Sequence, residues 1–385
     1  MIAHSDVLIV GGGPIGASLA LAIGRAGCRV ALVEARAAPA NDSRTLAISH
    51  GTAMILKRFG VAMDAIDATS IEAIHVSQRG GFGRAILRAA ELKLPALGYV
   101  VSYSALSRAL EHALLNSGAS VTFGAKVDVI RSTAMYGMAQ VKHEDRIEDV
   151  TAGLIVMADG GRGGEQIPGI NISEYDYRQS ALVALLSTDP PAKRMAYERF
   201  TSTGPVALLP YGDKYALIWT TSPQEASALA ELDAPLFLER LRHHVGIQSL
   251  RFIDTGPRAS FPLRLRFAKP VTSRRIALVG NAAQALHPVA GQGFNLGMRD
   301  VQALAKCINE ADRESIGDAA MLARYSASRR WDAGGGIAVT DLLVRGFSND
   351  NALLRAGRGF GLAALDVLPP ARKWFARKMM FGISG

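Results

Sequence analysis

The sequence predicts a Rossmann-like α/β fold with an inserted, mostly antiparallel β-sheet and a helical C-terminal region. Three patterns predict it. A short apolar strand at residues 7–10 runs into Gly11-x-Gly13-x-x-Gly16, a small-residue helix and a second strand, "RVALVE", that ends at Glu34. Between residues 166 and 268, apolar strands ("ALVALLS", "PVALLPY", "YALIWTT") recur between turn signals such as Pro190-Pro191 and "YGDK". At 275 "RIALVG" returns to the first kind of strand. The helix after it carries Val301, Leu304, Ala305 and Ile308 at spacings of three, four and seven.

These shifts divide the chain. Residues 1–69, 95–165 and 270–317 read as one discontinuous dinucleotide-binding domain, and 70–94 with 166–269 as a second domain that takes the substrate. Residues 318–385 read as a C-terminal helical region.

Each piece of the first unit has a physical role. Gly11 permits the tight strand-to-helix turn, Gly13 lets backbone approach a pyrophosphate, and Gly16 lets the helix pack close to the sheet. The helix N-terminus offers unpaired N–H groups and a partial positive charge to phosphates. Glu34 is placed to accept hydrogen bonds from ribose hydroxyls. A lone GxGxxG is a weak signal; strand, helix, second strand and acid together are a strong one for a dinucleotide. They do not distinguish NAD from FAD.

The middle of the chain is expected to hold a loop leading into a helix at 41–60, which would bury Ile48, Met54, Ile55 and Phe59. An amphipathic helix follows at 101–117 with Leu106, Leu110 and Leu114. Then come the strands "KVDVIR", "MAQVKH" and "GLIVMADGG". The last ends at Asp159-Gly160, where a glycine loop suggests backbone near a ligand. The segment "SIEAIHVSQ" (70–78) is assigned to the inserted sheet. A second glycine-rich stretch, "GNAAQALHPVAGQGFNLGMRD" (280–300), has no acid until its last residue.

Composition excludes several classes. Of 385 residues, 49 % are hydrophobic and 20 % charged, which is globular rather than disordered. The net charge of +9 fits a solvated basic surface, an acidic ligand or an anionic lipid surface. No basic run of five, no zinc spacing and few aromatics argue against a nucleic-acid partner. Cys28 and Cys307 form no CxxC, so a reducing compartment is expected. The apolar N-terminus lacks a basic lead-in and is broken by three glycines, unlike a signal peptide. No apolar run reaches the length of a membrane helix. The expectation is a soluble or peripheral cytoplasmic protein, at the inner membrane face if peripheral. Metal, nucleoside-triphosphatase, short-chain dehydrogenase and hydrolase motifs are absent. Chemistry carried by a bound cofactor fits that lack.

GxGxxG, then Asp-Gly, then the 280–300 stretch, in this order, resemble the single-component flavin monooxygenases of the para-hydroxybenzoate hydroxylase type. The 280–300 wording, with "DSRTLAIS", "YDYRQSALVA" and "TDLLVRGFS", is similar to the branch that hydroxylates polyprenylated phenols in ubiquinone biosynthesis, and within it to the 2-octaprenyl-6-methoxyphenol hydroxylases. The resemblance spans nearly the whole chain. It implies bound FAD, with NAD(P)H and O2 as co-substrates, and hydroxylation through a flavin C4a-hydroperoxide. Gly11, Gly13, Gly16, Glu34 and Arg36 would hold the ADP half, and Arg44 would lie on the flavin side. Asp159 would meet the pyrophosphate region, Asn281 the ribityl chain, and Gly291, Gln292, Gly293 and Asn295 the flavin ring. His287 and Pro288 are the candidate catalytic residues, His287 either acting chemically or positioned beside the flavin by backbone hydrogen bonds, and Pro288 fixing the loop shape against the ring. Two departures stand out: Asn281 replaces the family's usual Asp, and Gly163 and Gln166 replace the Ser and Arg that usually follow Asp-Gly. The latter leaves open a second reading, a non-catalytic subunit that binds FAD or prenyl lipid within a quinone-biosynthesis assembly. The tryptophan motif of flavin halogenases is missing.

Overall fold

The computed structural model describes residues 4–24, 27–38, 42, 44–163, 167–285, 292–330 and 352–382. Strand β1 (Ser5–Val10), helix α1 (Pro14–Gly24) and strand β2 (Val30–Glu34) form the expected opening unit. Both strands are buried along their whole length, as parallel strands covered on both faces must be. The sheet order is Thr272–Ser273, Ile276–Leu278, Arg146–Met157, β1, β2, Ser120–Phe123. Along this order the pairs are parallel except that of the short first strand. Val7 and Ile9 point into a core shared with α1, Tyr103–Leu115 and the long helix Gln292–Asn309; Leu8 and Val10 point into a second core. That second core is covered by Ala125–Ser132 and Gly137–His143, which extend Arg146–Met157 as an antiparallel meander.

A nine-stranded sheet is drawn from residues 73–88 and 171–285. Its ladders are antiparallel except where Ala73–Gln78 lies parallel to Met195–Thr201. One face packs on two helices, Pro223–Glu231 and Ala234–Val245, which sequence reading did not identify. Their signals were present. Ser222 caps the first by accepting from the Glu225 N–H at 3.2 Å, and Asp233 caps the second by accepting from Leu236 N–H at 2.9 Å. Each has proline in its first turn.

Two expectations need correction. The segment before the helix at 50 is a strand, Thr45–Ser49, paired with Gly98–Ser102, and Thr69–Ile71 completes this third, small sheet. So 70–78 divides between two sheets. The helix His50–Arg58 buries Thr52, Ala53 and Leu56, whereas Met54 is 46 % exposed. A strand whose partner is about fifty residues away has no local signature. The amphipathic helix and the long helix bury the predicted residues: Leu106, Leu110 and Leu114, and Val301, Leu304, Ala305 and Ile308. In the C-terminal region Met321, Leu322 and Tyr325 join the first core, and Pro369–Phe381 docks Ala376 and Met380 against Leu87, Ala89 and Leu97.

Candidate active site

Four parallel strands deliver their carboxyl ends to one place. β1 leads to Gly11, β2 ends at Glu34, Arg146–Met157 leads to Asp159, and Ile276–Leu278 leads to Gly280 and Asn281. Ligands of open α/β sheets bind outside such ends. A continuous cavity of about 1170 Å³ starts here, lined by Gly11, Gly13, Glu34, Arg36, Arg44, Asp159, Asn281 and Gly293. It continues to the free face of the nine-stranded sheet, where Ala181, Val183, Leu185, Ala216, Ile218, Phe261 and Leu263 form an apolar wall. Single-ligand pockets run to about 1,000 Å³, so this trough has room for an extended cofactor and a substrate.

Glu34 is buried at the end of β2. Its carboxylate accepts from Gly12 N–H at 2.6 Å, from Arg36 N–H at 2.9 Å and from Arg36 Nε at 2.8 Å. Burial alone would raise its pKa, but the Arg36 guanidinium and the two backbone donors outweigh that and hold it below the usual carboxylate range. It stays ionised and aimed. Arg44 pairs with Asp42 and lies 5.6 Å from the Tyr103 ring centroid and 6.0 Å from that of Phe261, so it spans the two sides of the cavity. Asp159 accepts from Gly161 N–H at 3.0 Å and from Gly163 N–H at 2.6 Å, which fixes its own loop. Arg266 Nη1 donates to the Asn281 carbonyl at 3.4 Å.

The glycines separate by what constrains them. A Cβ on Gly11 would stand 2.6 Å from the Ala158 carbonyl oxygen, and one on Gly16 would overlap the Gly11 carbonyl. These two are required by packing. A Cβ on Gly13 would meet nothing nearer than the Tyr103 hydroxyl at 3.8 Å, and one on Gly293 nothing within 4 Å. Both line the cavity, so their bareness suits a ligand lying against backbone. FAD fits this arrangement: a buried acid at one end, a bare glycine at the first helix N-terminus and another, Gly293, in the first turn of Gln292–Asn309.

The two loops are tied together. A Cβ on Gly297 would lie 2.8 Å from Ile15 and 3.1 Å from the Gly280 Cα, so the long helix abuts the first turn of α1 and Gly280 at glycine distance. Asp300, 1 % exposed, accepts from Gly280 N–H at 2.8 Å, Gln284 Nε2 at 2.7 Å and Arg329 Nε at 2.6 Å. Burial pushes its carboxyl up against the opposing pull of Arg329 and the other donors. Sequence reading missed Asp300 and Arg329. The only clue was one acid closing a stretch that holds no other.

Some predicted residues lie elsewhere. Gly16 supports the loop from behind. Asn295 is 3 % exposed, and its amide accepts from Ser49 N–H at 2.8 Å and donates to the Ala47 carbonyl at 3.1 Å, so it clamps the small sheet to the long helix. Gln292 opens that helix. His287, Pro288 and Gly291 lie outside the described residues, as does Gln166. No cluster of three metal-ligating side chains occurs among the described residues, and no described helix is long and apolar enough to cross a membrane.

The family model described as FAD binding domain matches residues 4–334. Ubiquinone hydroxylase UbiL of Rhodospirillum rubrum is 33 % identical over 390 residues, covering 98 % of this chain and 89 % of that protein. The chain belongs to this family of FAD-binding hydroxylases. Another member, 3-demethoxyubiquinol 3-hydroxylase of Escherichia coli, is 32 % identical over 377 residues, covering 94 % and 95 % of the two chains. The p-nitrophenol 4-monooxygenase PnpA of Pseudomonas putida superposes with a TM-score of 0.83 over 100 % of both chains at 19 % identity, and so shares the fold of the family.

Proposed function

We propose that this protein is an FAD-dependent monooxygenase that uses NAD(P)H and O2 to hydroxylate a polyprenylated phenol in ubiquinone biosynthesis. The observation that carries this reading is the single cavity joining a dinucleotide cradle to an apolar sheet face. The relatives named as ubiquinone-pathway hydroxylases support it over nearly their full length. FAD, when bound, supplies the redox chemistry, accepting a hydride from NAD(P)H and passing one oxygen atom of O2 to the ring.

The chain's own residues bind, orient and exclude water. Glu34 and the α1 N-terminus hold the ADP end. At the other end, Gly293 and Phe294 bring the start of Gln292–Asn309 to the cavity. A helix N-terminus favours negative charge by about 0.3–1 kcal/mol, up to about 2 when partly buried. It needs no reorganisation when that charge develops on a reduced ring. The apolar wall excludes water, which preserves the reactive oxygen for the substrate. It also rewards a prenyl tail, at about 0.8 kcal/mol per buried CH2. The division into a cofactor part (1–69, 95–165, 270–317) and a substrate part (70–94, 166–269) belongs to this proposal. It is supported by the two large sheets, each with its own core.

A peripheral membrane contact is part of the same reading. Phe360, Val367, Leu368 and Trp374 are exposed on the last two helices, beside Lys373 and Arg377 on a chain of net charge +9. Apolar tips among cations suit an anionic lipid surface.

The test is direct. Purified protein should carry FAD, oxidise NAD(P)H, and convert a short-tailed prenylphenol to a product 16 mass units heavier (one oxygen) on the order of one per NAD(P)H. A flavin that NAD(P)H does not reduce in the presence of the phenol would favour the non-catalytic subunit instead.

A further inference from the structure

Tyr103 opens the helix Tyr103–Leu115 and lines the cavity. It belongs to no sequence motif, yet it stands opposite the first glycine loop. The nearest atom to a Cβ placed on Gly13 is the Tyr103 hydroxyl oxygen, at 3.8 Å. On one side of this gap stand a bare glycine and the N-terminus of α1; on the other stands a phenol hydroxyl. The backbone around Tyr103 is held on several sides. Ser102 caps the helix by accepting from Ala105 N–H at 3.4 Å. Tyr103 N–H donates to the Arg44 carbonyl at 2.9 Å. Ser104 Oγ donates to the Asp42 carbonyl at 2.6 Å and accepts from Asp42 N–H at 3.1 Å. One helical turn therefore fixes Tyr103, Asp42 and Arg44 relative to one another.

Those neighbours decide what the hydroxyl can do. Arg36 is paired with Glu34 and Arg44 with Asp42, so each guanidinium already faces a carboxylate. Arg44 also lies over the Tyr103 ring, and Arg36 hydrogen-bonds to the Tyr103 oxygen. Arginine only donates, so that bond occupies a lone pair of the oxygen and leaves the phenolic proton uncommitted. Among the described residues no acceptor takes this proton, and the cavity is where an acceptor has room to stand. The glycine loop opposite has few donors of its own to offer: Gly11 N–H donates to the Val33 carbonyl at 2.8 Å and Gly12 N–H to Glu34 at 2.6 Å. A group lying against Gly13, at a helix N-terminus and beside two guanidinium groups, is favoured when it carries negative oxygens.

We propose that the Tyr103 hydroxyl donates a hydrogen bond to the pyrophosphate of FAD and clamps it against Gly13 and the α1 N-terminus. A hydrogen bond to an anionic oxygen is shorter than one between neutral groups and roughly twice as strong. Tyr103 thus supplies, from a helix remote in sequence, the side-chain donor that a loop of three glycines lacks. The assignment rests on the FAD reading of the cavity and is independent of which phenol is hydroxylated.

The experiment uses the full chain stripped of flavin and titrated with FAD and with ADP, as wild type, Tyr103→Phe and Tyr103→Leu. Urea midpoints of the flavin-free proteins and phosphorus NMR of bound FAD are parallel readouts. Tyr103→Phe keeps the ring under Arg44 and loses only the donor. Its FAD and ADP dissociation constants should rise by the same factor, on the order of 10-fold or more, with an unchanged urea midpoint and a displaced pyrophosphate resonance. Tyr103→Leu should weaken both ligands at least as much. A loss confined to FAD overturns the proposal, because the contact then lies beyond the ADP portion. A loss matched by a lower urea midpoint also overturns it, because Tyr103 is then structural. Wild-type affinities in Tyr103→Phe overturn the clamp alone; a wild type that binds neither nucleotide overturns the cofactor reading and the clamp with it.

Discussion

At the scale of single residues, Gly16 and Gly13 separate what the protein needs from what its ligand needs. Gly16→Ala forces a methyl against the Gly11 carbonyl. Overpacking of this kind costs about 1–3 kcal/mol, so the urea midpoint of the FAD-free protein should fall. Gly13→Ala has room in the fold; its unfolding midpoint should not move while FAD dissociates more readily. Equal effects of the two on unfolding would refute the distinction. Asp300→Ala removes the buried ion pair with Arg329, itself 3 % exposed. Breaking a buried pair costs about 3–5 kcal/mol, and denaturant unfolding should show a loss of that size. Glu198 has the opposite linkage from a paired acid. Burial pushes its folded-state value up to about 8, above the ordinary 4.5, so the folded state keeps a proton that the unfolded chain releases. Its contribution is fully present below the unfolded value and is lost as pH rises through the folded one. The stability of Glu198→Gln relative to wild type should therefore grow between about pH 4.5 and 8 and level off above.

At the scale of elements, the long helix does more than present its N-terminus. Asn295, one turn in, holds the backbone of Thr45–Ser49 by two hydrogen bonds, and Gly297 sets the helix against Ile15 and Gly280. Asn295→Ala leaves Ser49 N–H and the Ala47 carbonyl without their partner. About 1–3 kcal/mol per stranded buried group should appear as faster hydrogen exchange at Ser49, with β1 and β2 unchanged. No change at Ser49 would show that the helix does not clamp this strand. That strand was also the element the sequence concealed. Its alternation is five residues long and its partner, Gly98–Ser102, is remote, whereas β1, α1 and β2 announce themselves through contiguous apolar runs and glycine spacing.

At the scale of the whole molecule, one cavity runs between the parallel sheet and the nine-stranded sheet, and the last helix packs on the other side of the insert. The exposed Phe360, Leu368 and Trp374 lie away from the cavity-lining residues. Replacing all three with serine should leave turnover of a short-tailed phenol in solution unchanged while reducing sedimentation with anionic vesicles. Retained sedimentation would remove the membrane contact from the proposal.

The sequence by itself determined the α/β opening, the inserted sheet and several residues that line the cavity at the strand ends. Gly11, Gly13, Glu34, Arg36, Asp159 and Asn281 sit at strand ends, and strand ends are set by local pattern. Only tertiary structure decided that Asn295 faces the small sheet rather than the cavity, that Asp300 and Arg329 lock the second loop, and that Tyr103 stands opposite Gly13. Each of these depends on which distant strand or helix stands opposite. That is fixed by the packing of whole elements and leaves no periodicity in the neighbouring residues.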